Sequence, residues 1–121
     1  MKKVMLSLLV MAGALSADEL SPLKTREVQL KILTDANEMT AYVFDKDTEG
    51  VSNCNDGCAR IWPPIPAPDG EVKAPLSVVI RKDKSHQLAY KKRPIYLYAS
   101  DERPGDINGD GLSGIWHVVH P

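Results

Sequence analysis

One pattern occurs twice along this chain and limits what it can fold into. Tyr42-Val43-Phe44-Asp45-Lys46-Asp47 returns 54 residues later as Tyr96-Leu97-Tyr98-Ala99-Ser100-Asp101. The offset holds without a gap through Asp56-Gly57 and Asp110-Gly111 to Ile61-Trp62 and Ile115-Trp116, so the units cover about 42–62 and 96–116. Six of the seven aromatic side chains lie inside them, with Tyr90 outside, which assigns the aromatic core to the repeat. Self-similarity at a fixed spacing marks a duplicated supersecondary unit. Each unit is too small to carry a self-sufficient core, so the two must share one.

The local pattern within each unit is that of a strand. Tyr42 and Phe44, like Tyr96 and Tyr98, are two apart and project from one face of an extended chain. Asp47 and Asp101 follow near the strand ends, where a carboxylate accepts hydrogen bonds from turn amides. Val28, Leu30 and Ile32 alternate with polar residues, and Val78-Val79-Ile80 is a β-branched run. Leu88 to Tyr90 and Ile95 to Tyr98 read as strands joined by a charged turn, and Ile115 to Val119 as a last strand. Five of the nine prolines fall between Trp62 and Leu76, an extended connection between the halves. Helical periodicity is nearly absent. The expected fold is a small all-β single domain of two strand-rich repeats with little helix.

Residues 1–17 have the anatomy of a signal peptide: Lys2 and Lys3, an apolar run from Val4 to Leu15, then Ser16 and Ala17. The run is shorter than the roughly 20 residues of a membrane-spanning helix, and no cysteine stands at the cleavage region to accept a lipid. Residues 18–121 are therefore expected as one secreted or periplasmic β domain with no permanent membrane anchor. Fifteen basic residues against sixteen acidic ones lack the excess that holds nucleic-acid phosphates, so nucleic acid is not expected as a partner.

Several groups could carry chemistry. Cys54 and Cys58 are the only cysteines, and export makes a structural disulfide the default; a redox-active pair or a two-thiolate metal site are the alternatives. Asp106, Asn108 and Asp110, with Gly111 sixth in the run, open like an EF-hand calcium loop, but His117 stands where the bidentate Glu belongs. Calcium is thus a candidate cofactor beside a metal-free Asx-rich turn. A bridge could close the first loop where polar contacts or an ion close the second. His117 and His120 fall on opposite faces of a strand, which argues against a histidine metal site. Aromatics at strand period are expected to be core rather than a ligand-stacking platform. No phosphate loop, dinucleotide fingerprint, His-Glu-x-x-His or Gly-x-Ser-x-Gly is present, so no enzyme activity is expected.

Tyr42-x-Phe44-x-x-Asp47, Tyr96-x-Tyr98-x-x-Asp101, Cys54, Cys58, Trp62-Pro63-Pro64 and the tail from Pro104 to Trp116-His117-Val118-Val119 together resemble one family. It is the bacterial secreted-repeat, predicted-lipoprotein family named for its Tyr-x-aromatic-x-x-Asp motif, and the likeness covers about residues 28–121. The resemblance implies export and repeat architecture, in a family of unknown function, and supplies no catalytic residues. The chain departs from lipoprotein members in lacking the lipid-accepting Cys. The resulting expectation is an exported non-catalytic module that binds an envelope protein or a small ligand. The alternative is a periplasmic redox or metal-handling protein using Cys54 and Cys58.

Overall fold

Side-chain alternation along the two repeated strands sorts the interior into two layers. In the computed structural model, which describes residues 31–121, Tyr42, Phe44, Tyr96, Trp62, Trp116, Cys54 and Val118 form one buried cluster. Their sequence neighbours Ala41, Val43, Ile95 and Val119 form a second together with Ile65, with Leu33, Leu88, Tyr90 and Leu97 packed against it. Neighbours on a strand point to opposite faces, so one layer is aromatic and the other aliphatic. The expected signal segment and Val28 and Leu30 lie outside the described residues.

The architecture is all-β with little helix. In chain order it contains β1 (Tyr42–Phe44), the five-residue helix α1 (Gly57–Ile61), β2 (Leu76–Ile80), β3 (His86–Tyr90), β4 (Arg93–Pro94), a 3-10 turn (Leu112–Gly114) and β5 (Trp116–Val118). β1 pairs antiparallel with β5, setting Tyr42 opposite Val118 and Phe44 opposite Trp116. β2, β3 and β4 form an antiparallel three-stranded sheet. Lys91 and Lys92 make the two-residue β3–β4 turn with φ of 50° and 68°, the left-handed geometry that matches strand twist.

Of the expected strands, Ile95 to Tyr98 is reduced to isolated bridges, and of the alternation at Val28, Leu30 and Ile32 only Ile32 is described. Ile32 packs on the aromatic cluster without strand pairing of its own, next to a bridge between Thr34 and Thr40. Tyr96 bridges both Tyr42 and Pro64. The proline-rich connection is more than a spacer, because Pro64 and Pro66 bridge Tyr96 and Gln87. Proline has no N–H to give a ladder, so the bonds come from the residues between: Ile65 N–H reaches Ile95 C=O at 3.0 Å and Ala67 N–H reaches His86 C=O at 3.0 Å.

The halves are exchanged across a pseudo-two-fold axis. Tyr42 N–H donates to Tyr96 C=O at 2.8 Å, and Tyr96 N–H returns to Tyr42 C=O at 2.9 Å. Around that pair, Leu33 N–H to Val119 C=O is matched by Leu88 N–H to Ile65 C=O, and Ala41 N–H to Leu33 C=O by Ile95 N–H to Leu88 C=O. The Leu33–Val119 bond completes the first repeat with the end of the second, and the Leu88–Ile65 bond completes the second with the end of the first. The Ala41–Leu33 and Ile95–Leu88 bonds each lie within one repeat.

Candidate functional site

The residues singled out by the repeat converge where its two copies meet. Each tyrosine hydroxyl can donate only one hydrogen bond. Tyr42 gives its proton to Asp101 Oδ2 at 2.8 Å, and Tyr96 gives its own to Asp47 Oδ2 at 2.7 Å. Both bonds cross between repeats. The other oxygen of each carboxylate accepts a turn amide of its own repeat, Asn53 N–H to Asp47 Oδ1 at 2.7 Å and Asn108 N–H to Asp101 Oδ1 at 3.0 Å. Sequence anticipates those amide bonds but not the exchanged tyrosines.

The rings obey the same axis. Trp62 and Trp116 stack face to face, with centroids 3.8 Å apart and planes 4° apart. Phe44 stacks on Trp116 at 4.1 Å and Tyr98 on Trp62 at 4.3 Å, which makes a four-ring column. Tyr42 meets Trp62 edge-on at 5.2 Å, and Tyr96 meets Trp116 edge-on at 5.3 Å. Such pairs contribute ~0.5–1.5 kcal/mol each beyond burial, so the column is a major part of the interior. Tyr42 and Tyr96 are wholly buried, and Tyr98 alone of the repeat aromatics is half-exposed. Burial, with the facing aspartates, pushes both buried phenols well above their ordinary value of 10.0. Burial also raises Asp47, against the amide of Asn53, the Tyr96 hydroxyl and the positive charge of Arg81.

The two loops complete the symmetric bonds differently. In the first, Cys54 and Cys58 form a disulfide with Cα atoms 5.2 Å apart. A buried guanidinium holds this loop: Arg81 donates to Cys54 C=O at 2.6 Å, Ser52 Oγ at 2.9 Å and Gln87 Oε1 at 2.7 Å. Ser52 Oγ lies 2.6 Å from the Tyr96 hydroxyl, and because Tyr96 gives its proton to Asp47, Ser52 is the donor. Gln87 passes the network on to Ile95 C=O at 2.8 Å. Sequence inspection did not single out Arg81, Gln87 or Ser52. The signal available was one charged residue ending an apolar run.

The second loop is closed by polar contacts. Gly109 N–H donates to the Tyr42 hydroxyl at 3.1 Å, and a Cβ at Gly109 would sit 2.5 Å from the Trp62 ring. Asp110 Oδ1 accepts Val118 N–H at 3.0 Å, and Gly111 N–H meets Trp116 C=O at 2.8 Å, so this loop covers the outer edge of β5. Asp106 Oδ2 accepts the amides of Glu102 and Arg103, which draw its carboxyl below the usual range. The Asp106 and Asp110 carboxylates thus hold backbone amides of Glu102, Arg103 and Val118, while Asn108 gives its own N–H to Asp101. Among the described residues no three His, Cys, Asp or Glu side chains gather as a metal-holding group.

Among the described residues, clefts open outside the aromatic layer. One, of about 550 Å³, lies on the aliphatic side between Leu33, Ile65, Leu76, Leu88 and Ile95. Another, of about 260 Å³, carries Lys91, Arg93, His117 and His120. There His117 lies 2.8 Å from Asp45 Oδ2 and Arg93 3.7 Å from Asp45 Oδ1.

A family model described as a secreted repeat of unknown function matches residues 31–65 and 77–120. The chain belongs to this secreted-repeat family. The two secreted repeats end at Ile65 and His120, beside the pseudo-equivalent pair Ile65 and Val119 that closes each half. No curated protein and no solved structure matches the chain. Among the described residues, no helix is long and apolar enough to cross a membrane.

Proposed function

We propose that this secreted repeat is an exported, non-catalytic binding module, acting in the periplasm or outside the cell on an envelope protein or a small ligand. The observation that carries this reading is the four-ring column with its exchanged Tyr–Asp bonds. Tyr42, Phe44, Trp62, Tyr96 and Trp116 are committed to joining the halves, and Asp47 and Asp101 to holding the tyrosines and turns. What remains for recognition is the surface. We also take Tyr-x-aromatic-x-x-Asp to be the signature of the repeat, since the exchange needs each of those groups.

Cross-linking in cells at natural abundance, with mass spectrometry, tests the module. The expected result is one reproducible adduct with an envelope protein, or a co-purifying small molecule. Turnover of a substrate by the purified chain, lost with a surface substitution that leaves folding intact, would overturn it. The redox alternative requires reversible cycling of Cys54 and Cys58. Its mark is a two-electron potential in the oxidoreductase range rather than the lower one of structural bridges. Burial of Cys54 and the hold of Arg81 on its carbonyl favour the structural role. Calcium at Asp106, Asn108 and Asp110 has a direct test: millimolar calcium must raise the melting midpoint by mass action, and an unchanged midpoint removes it.

A further inference from the structure

A strand at the border of a sheet presents unpaired N–H and C=O groups, and proteins usually blunt such edges with charge, proline or a covering loop. β5 follows that rule through Asp110 and Gly111. β2 does not. Leu88 N–H and His86 C=O point away from β2, toward Ile65 and Ala67. By antiparallel alternation, their partners Val78 and Ile80 turn their own N–H and C=O groups outward. Among the described residues nothing bonds these outward groups. The strand reads Leu76-Ser77-Val78-Val79-Ile80, with no charge between Pro75 and Arg81, and the side chains of Val78 and Ile80 are 39% and 68% exposed.

The surroundings indicate what this edge pairs with. Lys73 precedes the strand and Lys82 and Lys84 follow it, while the Lys91-Lys92 turn is fastened beside its start by the Lys91 N–H to Pro75 C=O bond of 2.9 Å. Against these five lysines stand Glu71 and Asp83, in a chain whose fifteen basic and sixteen acidic residues nearly balance overall. A second copy would bring one cationic surround against another. We propose that β2 is a docking edge for an extended segment of a partner protein, apolar at alternate positions and acidic at both ends. The partner's backbone continues the ladder at Val78 and Ile80, its apolar side chains cover theirs, and its carboxylates meet the lysines. This inference rests on the binding-module reading and names its surface.

The test uses the exported full chain and three labelled synthetic peptides: an alternating Val/Thr segment with Asp/Glu ends, the same segment with Lys ends, and the acid-ended segment interrupted by proline. The acid-ended peptide is expected to bind about tenfold more tightly than the lysine-ended one, and less tightly as salt rises. The proline peptide is expected not to bind, and the amides of Val78 and Ile80 to gain protection from hydrogen exchange. Val78→Pro removes an outward N–H that no ladder uses, so it should keep the melting midpoint and lose binding. Ile80→Lys, at an exposed position, supplies a second variant should the first fail to fold. If peptide binds wild type and both variants alike, the module reading stands and this edge is wrong. If no peptide binds and the two amides stay open, the edge proposal falls while the cellular cross-link still decides the module. A dimer of the free chain that Val78→Pro dissolves assigns the edge to self-pairing and overturns the proposal.

Discussion

Tyr42 and Tyr96 each hold an aspartate of the opposite repeat, and each is wholly buried. Removing either hydroxyl leaves a carboxylate short of a partner. Tyr42→Phe and Tyr96→Phe are each expected to cost about 1.5–3 kcal/mol, the usual worth of a hydrogen bond to a charged group, read as a lowered denaturant midpoint. A double-mutant cycle of Tyr42→Phe with Asp101→Asn should show coupling, while Tyr42→Phe with Asp47→Asn should be closer to additive. The two phenols also set an alkaline limit. Their folded pKa lies above the unfolded value of 10.0, so stability is intact below that pH and falls as pH rises through it, when unfolded phenols release protons that folded ones keep. Melting midpoints measured up to about pH 11 should show that fall, and the Tyr42→Phe/Tyr96→Phe double variant should flatten it. Gly109 is a second exacting position. A methyl there would overlap Trp62 and crowd Tyr98, so Gly109→Ala should cost about 1–3 kcal/mol and weaken the tryptophan stack seen by near-ultraviolet dichroism.

At the scale of elements, the first loop and the β3–β4 turn are the places to measure. Cys54 and Cys58 close a very short loop, so reducing the bridge should cost about 2 kcal/mol on the chain-entropy account and leave the fold standing. The Lys91-Lys92 turn places two side-chain-bearing residues at positive φ. Replacing them with Asn and Gly should raise stability by about 1 kcal/mol, checked by thermal melting. These elements also mark what the sequence discloses. Tyr42 and Phe44 show their strand character by alternation, and the Val78-Val79-Ile80 run shows its own by composition. The same alternation at Tyr96 and Tyr98 yields only bridges at Tyr96, and export with just two cysteines discloses the disulfide. Helix α1 is only five residues long, too short for periodicity to register. The pairing of Pro64 and Pro66 was hidden because proline reads as a breaker, whereas here Ile65 and Ala67 supply the N–H groups. Arg81 looks like a solvated end of a strand, and only tertiary structure shows it buried against Cys54 C=O.

At the scale of the whole molecule, a repeat announces that two units share an interior, but spacing alone does not say whether each folds on itself or into the other. The Tyr42–Tyr96 backbone pair and the crossed Tyr–Asp bonds settle that in favour of exchange. Residues 18–69 and 70–121, produced as separate chains, should therefore each be unfolded alone and regain the Trp62–Trp116 dichroism signal when mixed. Independent folding of either half would contradict the exchanged interior. The arrangement also carries a rule of parity. A unit built this way is closed only by its complement, so longer proteins made from it should count their copies in even numbers, and an odd one left over would have to find its mate in another molecule.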